Sequence, residues 1–374
     1  MLKHLKLALI ALSATLLFTA CSDDEGEEVK KVVTTTTSEA LIVNQGNQYG
    51  GVAGTLSLLD MTSGTLTDGV FQAANSQSLG DTPENAVYHG SKLYIAVYGS
   101  NLVWVLDAST KQILQQVTTN EPEWIEADGA YVYVANNDGN VTRIDTASYE
   151  TKTVAVGPNP AGMAASRGYL YVSISDGYNY SGGYADGKRV AKVNLTTFTK
   201  EGDIAVGMNP GKVVADAAGN VFVVCNGDYY TIMPKVYKIS ADSQTAEEAY
   251  DGNQIAVNPQ LDVLYVLNTT TDWTTGASTT TYAAYSTTTG DALTTNFATN
   301  TDLPASPTGL FVDYNTNHVF IPSDRSAFGY ASQGDVYEFD QHGTFLKKYA
   351  AGIHPYAVAF RHVTTTTYET VVNP

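Results

Sequence analysis

Short runs of apolar, β-branched and aromatic residues recur along the chain, in fixed order with two other patterns. One run reads Leu41-Ile42-Val43-Asn44, and its counterparts start at Leu93, Tyr131, Tyr169, Val221, Val263 and His318. A second run follows each: Leu56 to Asp60, Val103 to Asp107, Val141 to Asp145, Val190 to Asn194, Val236 to Ser240, Tyr282 to Ser286 and Val336 to Asp340. These end on a polar residue, then a turn such as Thr62-Ser63-Gly64 or Gln341-His342-Gly343, then a weaker strand. Such composition, bounded by turn formers, is the signature of β-strands. The third pattern precedes each β-rich run. It is a proline followed by a small-residue strand, at Pro83, Pro122, Pro160, Pro210, Pro307 and Pro355, with Gly252 at the equivalent place in one copy. Small residues suit a crowded innermost strand, and proline suits the first residue of a strand, where no ladder donor is needed.

The order of the patterns predicts how the fold closes. Seven copies of the second and third strands occur, yet the first, at Leu41, has no proline strand before it; the missing one is Pro355 to Phe360. The C-terminal strand therefore completes the first repeat, which leaves no open sheet edge. A linear solenoid needs no such permutation. The expected fold is all-β: a seven-bladed β-propeller of four-stranded blades, ring closed by the C-terminal strand.

The run Asn-Pro, small strand, Tyr-Val-Ala-Asn, then Val-x-x-Ile-Asp, seen at Glu121 to Asp145 and Asn159 to Asn194, resembles the YVTN-type (YncE-like) repeat of surface-layer propellers. The resemblance covers residues 39–363. It implies the fold and little about function, since one fold hosts many functions.

The first residues add a location. Lys3 and Lys6 precede an apolar run from Leu7 to Phe18, of signal-peptide length and too short to span a bilayer. Leu17-Phe18-Thr19-Ala20-Cys21 resembles a bacterial lipobox, which implies that residues 1–20 are a lipoprotein signal peptide and that Cys21 is lipidated. Residues 21–38 read as an acidic, Thr-rich tether and residues 364–374 as a C-terminal tail. Ser22-Asp23-Asp24-Glu25-Gly26-Glu27-Glu28 resembles the surface-export signal of Bacteroidetes lipoproteins, implying a lipid-anchored protein on the outer face of the outer membrane. Cys225, in an apolar strand, reads as an inert small hydrophobe.

Charge excludes one class of ligand. Acidic residues outnumber basic ones by 38 to 20, for a net charge of −18 over 374 residues. Such a surface repels polyphosphate, so nucleic acid is not expected as a partner.

Candidate binding residues sit in insertions between second and third strands: Gln45 to Gly54, Asp176 to Gly187, Asn226 to Pro234, Thr269 to Thr281 and Ser323 to Gly334. In a four-stranded blade this connection shares a face with the connection between blades, so one face is built up by loops, where rigid scaffolds bind. Those loops and their shorter counterparts carry Tyr49, Tyr98, Tyr178, Tyr180, Tyr184, Tyr229, Tyr230, Trp273, Phe328 and Tyr330, with Asn136, Asn137 and Arg325 among them. Aromatic rings mixed with small polar residues resemble a paratope. Trp124, just after Pro122, is expected at the channel mouth on the same face.

Catalysis has little support. His89, His318, His342, His354 and His362 lack metal-ligand spacing, and no nucleophile-elbow, zincin or phosphate-loop motif occurs. Asp138, Asp176 and Asp186 read as turn formers rather than calcium ligands. The expectation is a binding protein, not an enzyme, with no cofactor and no resident metal. Its architecture, size and export signal resemble the BtuG-type corrinoid-capture lipoproteins of gut Bacteroidetes. That resemblance implies binding of cobalamin or another corrinoid and its delivery to a TonB-dependent outer-membrane transporter. The alternative is a surface glycan-binding protein, with tyrosine and tryptophan stacked on sugar rings. A propeller enzyme or a protein-interaction scaffold ranks lower.

Overall fold

The computed structural model describes residues 28–272, 274–298 and 302–371, almost all of them in one ring of seven antiparallel sheets. Blade two shows the unit: an inner strand Pro83–His89, then Lys92–Val97, Leu102–Asp107 and an outer strand Ile113–Thr118. The inner strands of blades three to six are Pro122–Asp128, Pro160–Ser166, Pro210–Ala215 and Gln254–Asn258. In blade seven the inner strand is broken into Ser306–Pro307 and Phe311–Asp313, both paired with His318–Asp324. Blade one takes its second strand from Glu28–Asn44 and its inner strand from Pro355–Val371, with Leu41 opposite Ala359. The ring is closed as the repeat order predicts.

Each second strand is buried on both sides, and this is why it reads as a continuous apolar run. In blade one Leu41 and Val43 pack with Leu93, Ile95, Val97 and Trp104 of blade two. The alternate residues Ala40 and Ile42, with Val358, pack on Phe320, Val336 and Tyr349 of blade seven. Period-two alternation thus assigns odd and even positions to the two neighbouring blades. Each large side chain buried this way contributes about 1.5–3 kcal/mol.

The polar residue ending each third strand has a specific task. The Oδ1 of Asp60, Asp107 and Asp145 accepts the N–H groups two and three residues on, at 2.7–2.9 Å, and Asn194 does the same at 2.9 and 3.1 Å. These backbone donors hold the three carboxyls below their ordinary pKa.

Two segments depart from the sequence reading. From Glu28 onward the supposed tether is a strand, paired with the supposed tail as far as Val371. Thr34 faces Thr365, Thr35 faces Thr364, and the Thr35 and Thr364 hydroxyls lie 2.9 Å apart. Runs of Thr and Val favour extended backbone, but the partner lies at the far end of the chain, where no local reading finds it. A register shift between Thr37 and Glu39 marks where this ribbon leaves the blade. In blade six the insertion is no loop. Val263–Asp272 and Ala277–Ser286 continue as one hairpin of two ten-residue strands, whose Thr269 and Thr280 hydroxyls are 2.9 Å apart. Cys21 and residues 1–20 lie outside the described residues.

Candidate functional site

A repeated backbone clasp shapes the channel mouth. In five blades the residue before the inner-strand proline is left-handed: Thr82, Glu121, Asn159, Asn209 and His354 have φ between 46° and 56°. The carbonyl of each accepts the N–H of the first residue beyond the second strand, from Tyr98, Asn137, Ser175, Asn226 and Gln45, at 2.9–3.1 Å. The clasp ties the start of the inner strand to the root of the loop. Proline disfavours the right-handed helical region before it, and asparagine tolerates the left-handed one best. Thr82, β-branched, is the misfit. Thr82→Asn is expected to raise stability by about 1 kcal/mol, seen as a higher melting temperature; an unchanged or lower one would contradict this account.

A bulge follows the proline. The register skips between Pro83 and Asn85, Pro122 and Trp124, Pro160 and Met163, and Pro210 and Val213. Bulges re-aim side chains, and here the residues after the prolines converge on the axis. They line a cup of about 260 Å³, with Glu84, Asn85 and Glu123 on one wall, Tyr356 beside them and Lys212 opposite. Gln45 Nε2 donates to Glu84 Oε2 at 2.6 Å, and Asn137 Nδ2 donates to Glu123 Oε2 at 3.0 Å.

No cation pairs with either glutamate among the described residues. Burial raises both carboxyls: Glu84 well above its ordinary value, with Glu123 adding repulsion, and Glu123 to about 7. Glu126, further along the same strand, is raised to about 8 by burial, partly offset by the Ala165 N–H. Lys212 crosses from blade five to blade seven, where its Nζ donates to Leu310 O at 2.6 Å. There it lies 4.0 Å from the Phe311 ring centroid and 5.9 Å from that of Trp124. Burial alone lowers it to about 7.

The cup continues into a groove of about 570 Å³, sharing Asn226, Tyr229, Asn253 and Gln254 with it. Tyr230, Met233 and Pro234 of blade five form one wall, and Thr269 to Thr271 of the blade-six hairpin form the other. Nearly the whole lining comes from the first residues of inner strands and from second-to-third connections, so cup and groove open on the insertion face.

The sequence-predicted residues divide into several groups. Trp124 and Tyr229 line the cup, Tyr229 and Tyr230 line the groove, and Asn137 holds Glu123. Tyr230 and Tyr180 stand free, 87% and 73% exposed. Tyr98 and Tyr178 bond through their hydroxyls, and Tyr178 Oη also donates to Glu121 Oε2 at 3.2 Å, strapping blades two and four across blade three. Tyr49 and Tyr330 flank a separate hollow of about 200 Å³ beside His354.

Four residues are structural. Tyr184 is 6% exposed, and its hydroxyl is raised above its ordinary pKa by burial and by Tyr229, Asp228 and Tyr230 of the next blade's insertion. Asn136 is buried, with Nδ2 on Thr142 Oγ1 at 2.9 Å. Arg325 is held by both oxygens of Asp335 at 2.9 and 3.0 Å. Phe328 lies against Gly276, where a β-carbon would come within 2.6 Å of its ring. Trp273 lies outside the described residues.

Sequence reading missed Glu84, Glu123, Glu126, Lys212 and Tyr356. The signal was present: the aligned prolines are followed by small residues in some copies, and these large or charged ones are the exceptions.

Comparison with known proteins fits this architecture. A family profile described as a domain of unknown function, DUF5074, matches residues 39–356. No curated protein matches the chain. Among solved structures, a quinonprotein alcohol dehydrogenase-like protein from Bacteroides thetaiotaomicron is similar, with 13% identity, TM-score 0.62, and coverage of 89% of this chain and 85% of that one. A putative 6-phosphogluconolactonase from Bacteroides uniformis has 14% identity and TM-score 0.61, with coverage of 87% and 100%. Hydrazine synthase of Kuenenia stuttgartiensis has 18% identity and TM-score 0.56, with coverage of 69% and 76%. At these identities the likeness concerns the fold alone.

Proposed function

The chain belongs to the DUF5074 family, and from that premise we propose that it is a surface ligand-capture lipoprotein that takes up a corrinoid such as cobalamin and passes it to a TonB-dependent outer-membrane transporter. The observation that carries this reading is the continuous cup and groove. Amides of Asn85, Asn226, Asn253 and Gln254 and the rings of Tyr229, Tyr230 and Trp124 line it, a chemistry suited to a large, uncharged, amide-bearing ligand. Its placement agrees. The inner strand of blade one starts on the insertion face at Pro355, so the ribbon of residues 28–37 and 362–371 leaves from the opposite face. A lipid on Cys21 would then leave the cleft facing away from the membrane.

Calorimetry with cyanocobalamin tests this. Binding is expected with no added metal and little dependence on salt, because a neutral ligand releases few counterions. Tyr229→Ala and Tyr230→Ala are each expected to weaken it by about 1–3 kcal/mol, as buried interface aromatics do. Tyr184→Ala is expected to lower the melting temperature instead. No heat with cyanocobalamin, together with retention on glycan gels through the same tyrosines, would replace the corrinoid reading with the glycan one.

A further inference from the structure

We propose that the Glu84–Asn85–Glu123 wall of the cup is a subsite for an uncharged primary amide of the captured ligand. Two carboxyls occupy equivalent positions on neighbouring inner strands, each one residue after the proline and each turned into the cup by the same bulge. Each receives one amide donor from the protein, Glu84 from Gln45 and Glu123 from Asn137. Between them stands Asn85, which is only 6% exposed and lines the cup. Its side chain has no hydrogen-bond partner among the described residues. Its amide nitrogen and oxygen are not sealed off and open on the cup, so a donor and an acceptor are both free to meet a group that arrives from outside.

The donor and acceptor inventory selects that group. Burial disfavours the charge on both carboxyls and Glu123 adds repulsion at Glu84, so above about pH 7 Glu123 is ionised while Glu84 keeps its proton, and the wall presents one acceptor carboxylate beside one donor O–H. A primary amide offers the complement, N–H to the carboxylate and C=O to the acid, with Asn85 able to give or accept. An incoming carboxylate meets repulsion from the ionised partner. An ammonium group demands that both carboxyls ionise and leaves the Asn85 N–H groups unmatched.

The surroundings preserve this one-proton state. Tyr356 faces the pair from blade one, Glu121 and Glu126 lie on blade three, and Tyr229 and Lys212 face it from blade five. Blades six and seven contribute the neutral Asn253, Gln254 and Thr308. Lys212, the only cation among these, donates to Leu310 O and forms no ion pair with either glutamate. The subsite therefore loses its donor when Glu84 gives up the last proton, and amide binding weakens as pH rises past the raised value of that carboxyl.

This inference rests on the cup as the capture site, and its test has two arms. In the first, acetamide, acetate and methylammonium are titrated at about pH 7.5 against protein carrying 13C-labelled glutamate. Acetamide alone is expected to shift two carboxyl resonances, one absent from Glu84→Gln and the other from Glu123→Gln. Shifts caused by methylammonium instead, or none from acetamide, would overturn the subsite whatever the ligand of the whole protein. In the second arm, cyanocobalamin is expected to bind about tenfold more weakly at the alkaline end of the range over which the protein stays folded than near pH 7.5. A derivative with one side-chain amide hydrolysed to the acid is expected to bind more weakly at both. Glu84→Gln keeps a donor and an acceptor at every pH and is expected to flatten the dependence, with a melting temperature unchanged near pH 5 and raised at alkaline pH. Tight but pH-independent binding, the same in the variant, would overturn the subsite and leave corrinoid capture standing. No binding of cyanocobalamin with the acetamide shifts present would overturn corrinoid capture and leave the subsite.

Discussion

A chain ending before Pro355 is expected to aggregate or to melt without cooperativity. Removing residues 355–371 strips the inner strand from blade one and leaves the edge of Glu39–Asn44 unpaired. It also opens both seams of that blade. Ala357 and Ala359 leave the cluster shared with blade two, and Val358 leaves the one shared with blade seven. The Thr308 hydroxyl loses Pro355 O, across the seam from blade seven. Such a loss is of the same order as the whole net stability of a domain, about 5–15 kcal/mol, and the open edges are templates for association. The control is a chain ending after Val363, which removes only the outer part of the ribbon. An isolated two-stranded ribbon is marginal by itself, so this chain is expected to melt within about 3 °C of the intact protein. Calorimetry and size-exclusion chromatography distinguish the two. A cooperative transition at the intact protein's temperature for the shorter chain would sink the closure account.

Stability is expected to fall as pH rises from about 5 to about 7, the reverse of a protein governed by paired carboxylates. Glu84, Glu123 and Glu126 all have folded-state pKa values raised by burial, Glu123 to about 7 and Glu126 to about 8. Between their unfolded and folded values the folded state holds protons that the unfolded chain has released. Stability therefore declines with pH across that window. Above about pH 7 Lys212, whose folded value is lowered to about 7, acts oppositely. Glu126→Gln isolates one group. A full shift to about 8 would correspond to nearly 5 kcal/mol. Glu126 retains some contact with channel water, so a gain on the order of 2 kcal/mol at about pH 8 is expected, with no gain near pH 5. Urea unfolding at both pH values measures it. Equal effects at the two would mean that Glu126 is ionised without cost, and that the channel is wetter than its lining suggests.

How much of the site was legible depended on the kind of order each residue obeys. The proline positions, the strand runs and the turns that follow a polar residue repeat seven times or nearly so, and repetition reveals the ring without any knowledge of contacts. Loop aromatics were legible as a class and not individually. Tyr184 and Tyr230 both come from Gly- and Asp-containing insertions, yet one is buried and the other walls the groove. Arg325 has the composition of a binding residue until Asp335 is found to hold it.

What the sequence alone determined is the architecture: seven four-stranded blades, their order, the closure by the C-terminal strand, and the face that carries the insertions. These follow from short-range patterns, strand period and turn chemistry, which each repeat states for itself. Only the tertiary structure decided the rest. The ribbon pairs Thr34 with Thr365 across the length of the chain, and the cup assembles from residues contributed by every inner strand. Glu84 owes its raised pKa to burial and to Glu123, Glu123 owes its own to burial and to Glu121, and Lys212 owes its lowered one to burial alone. The physical reason is common to all of these. Burial, pairing across blades and the dielectric at the axis arise only when distant segments converge, and no window of sequence contains that convergence.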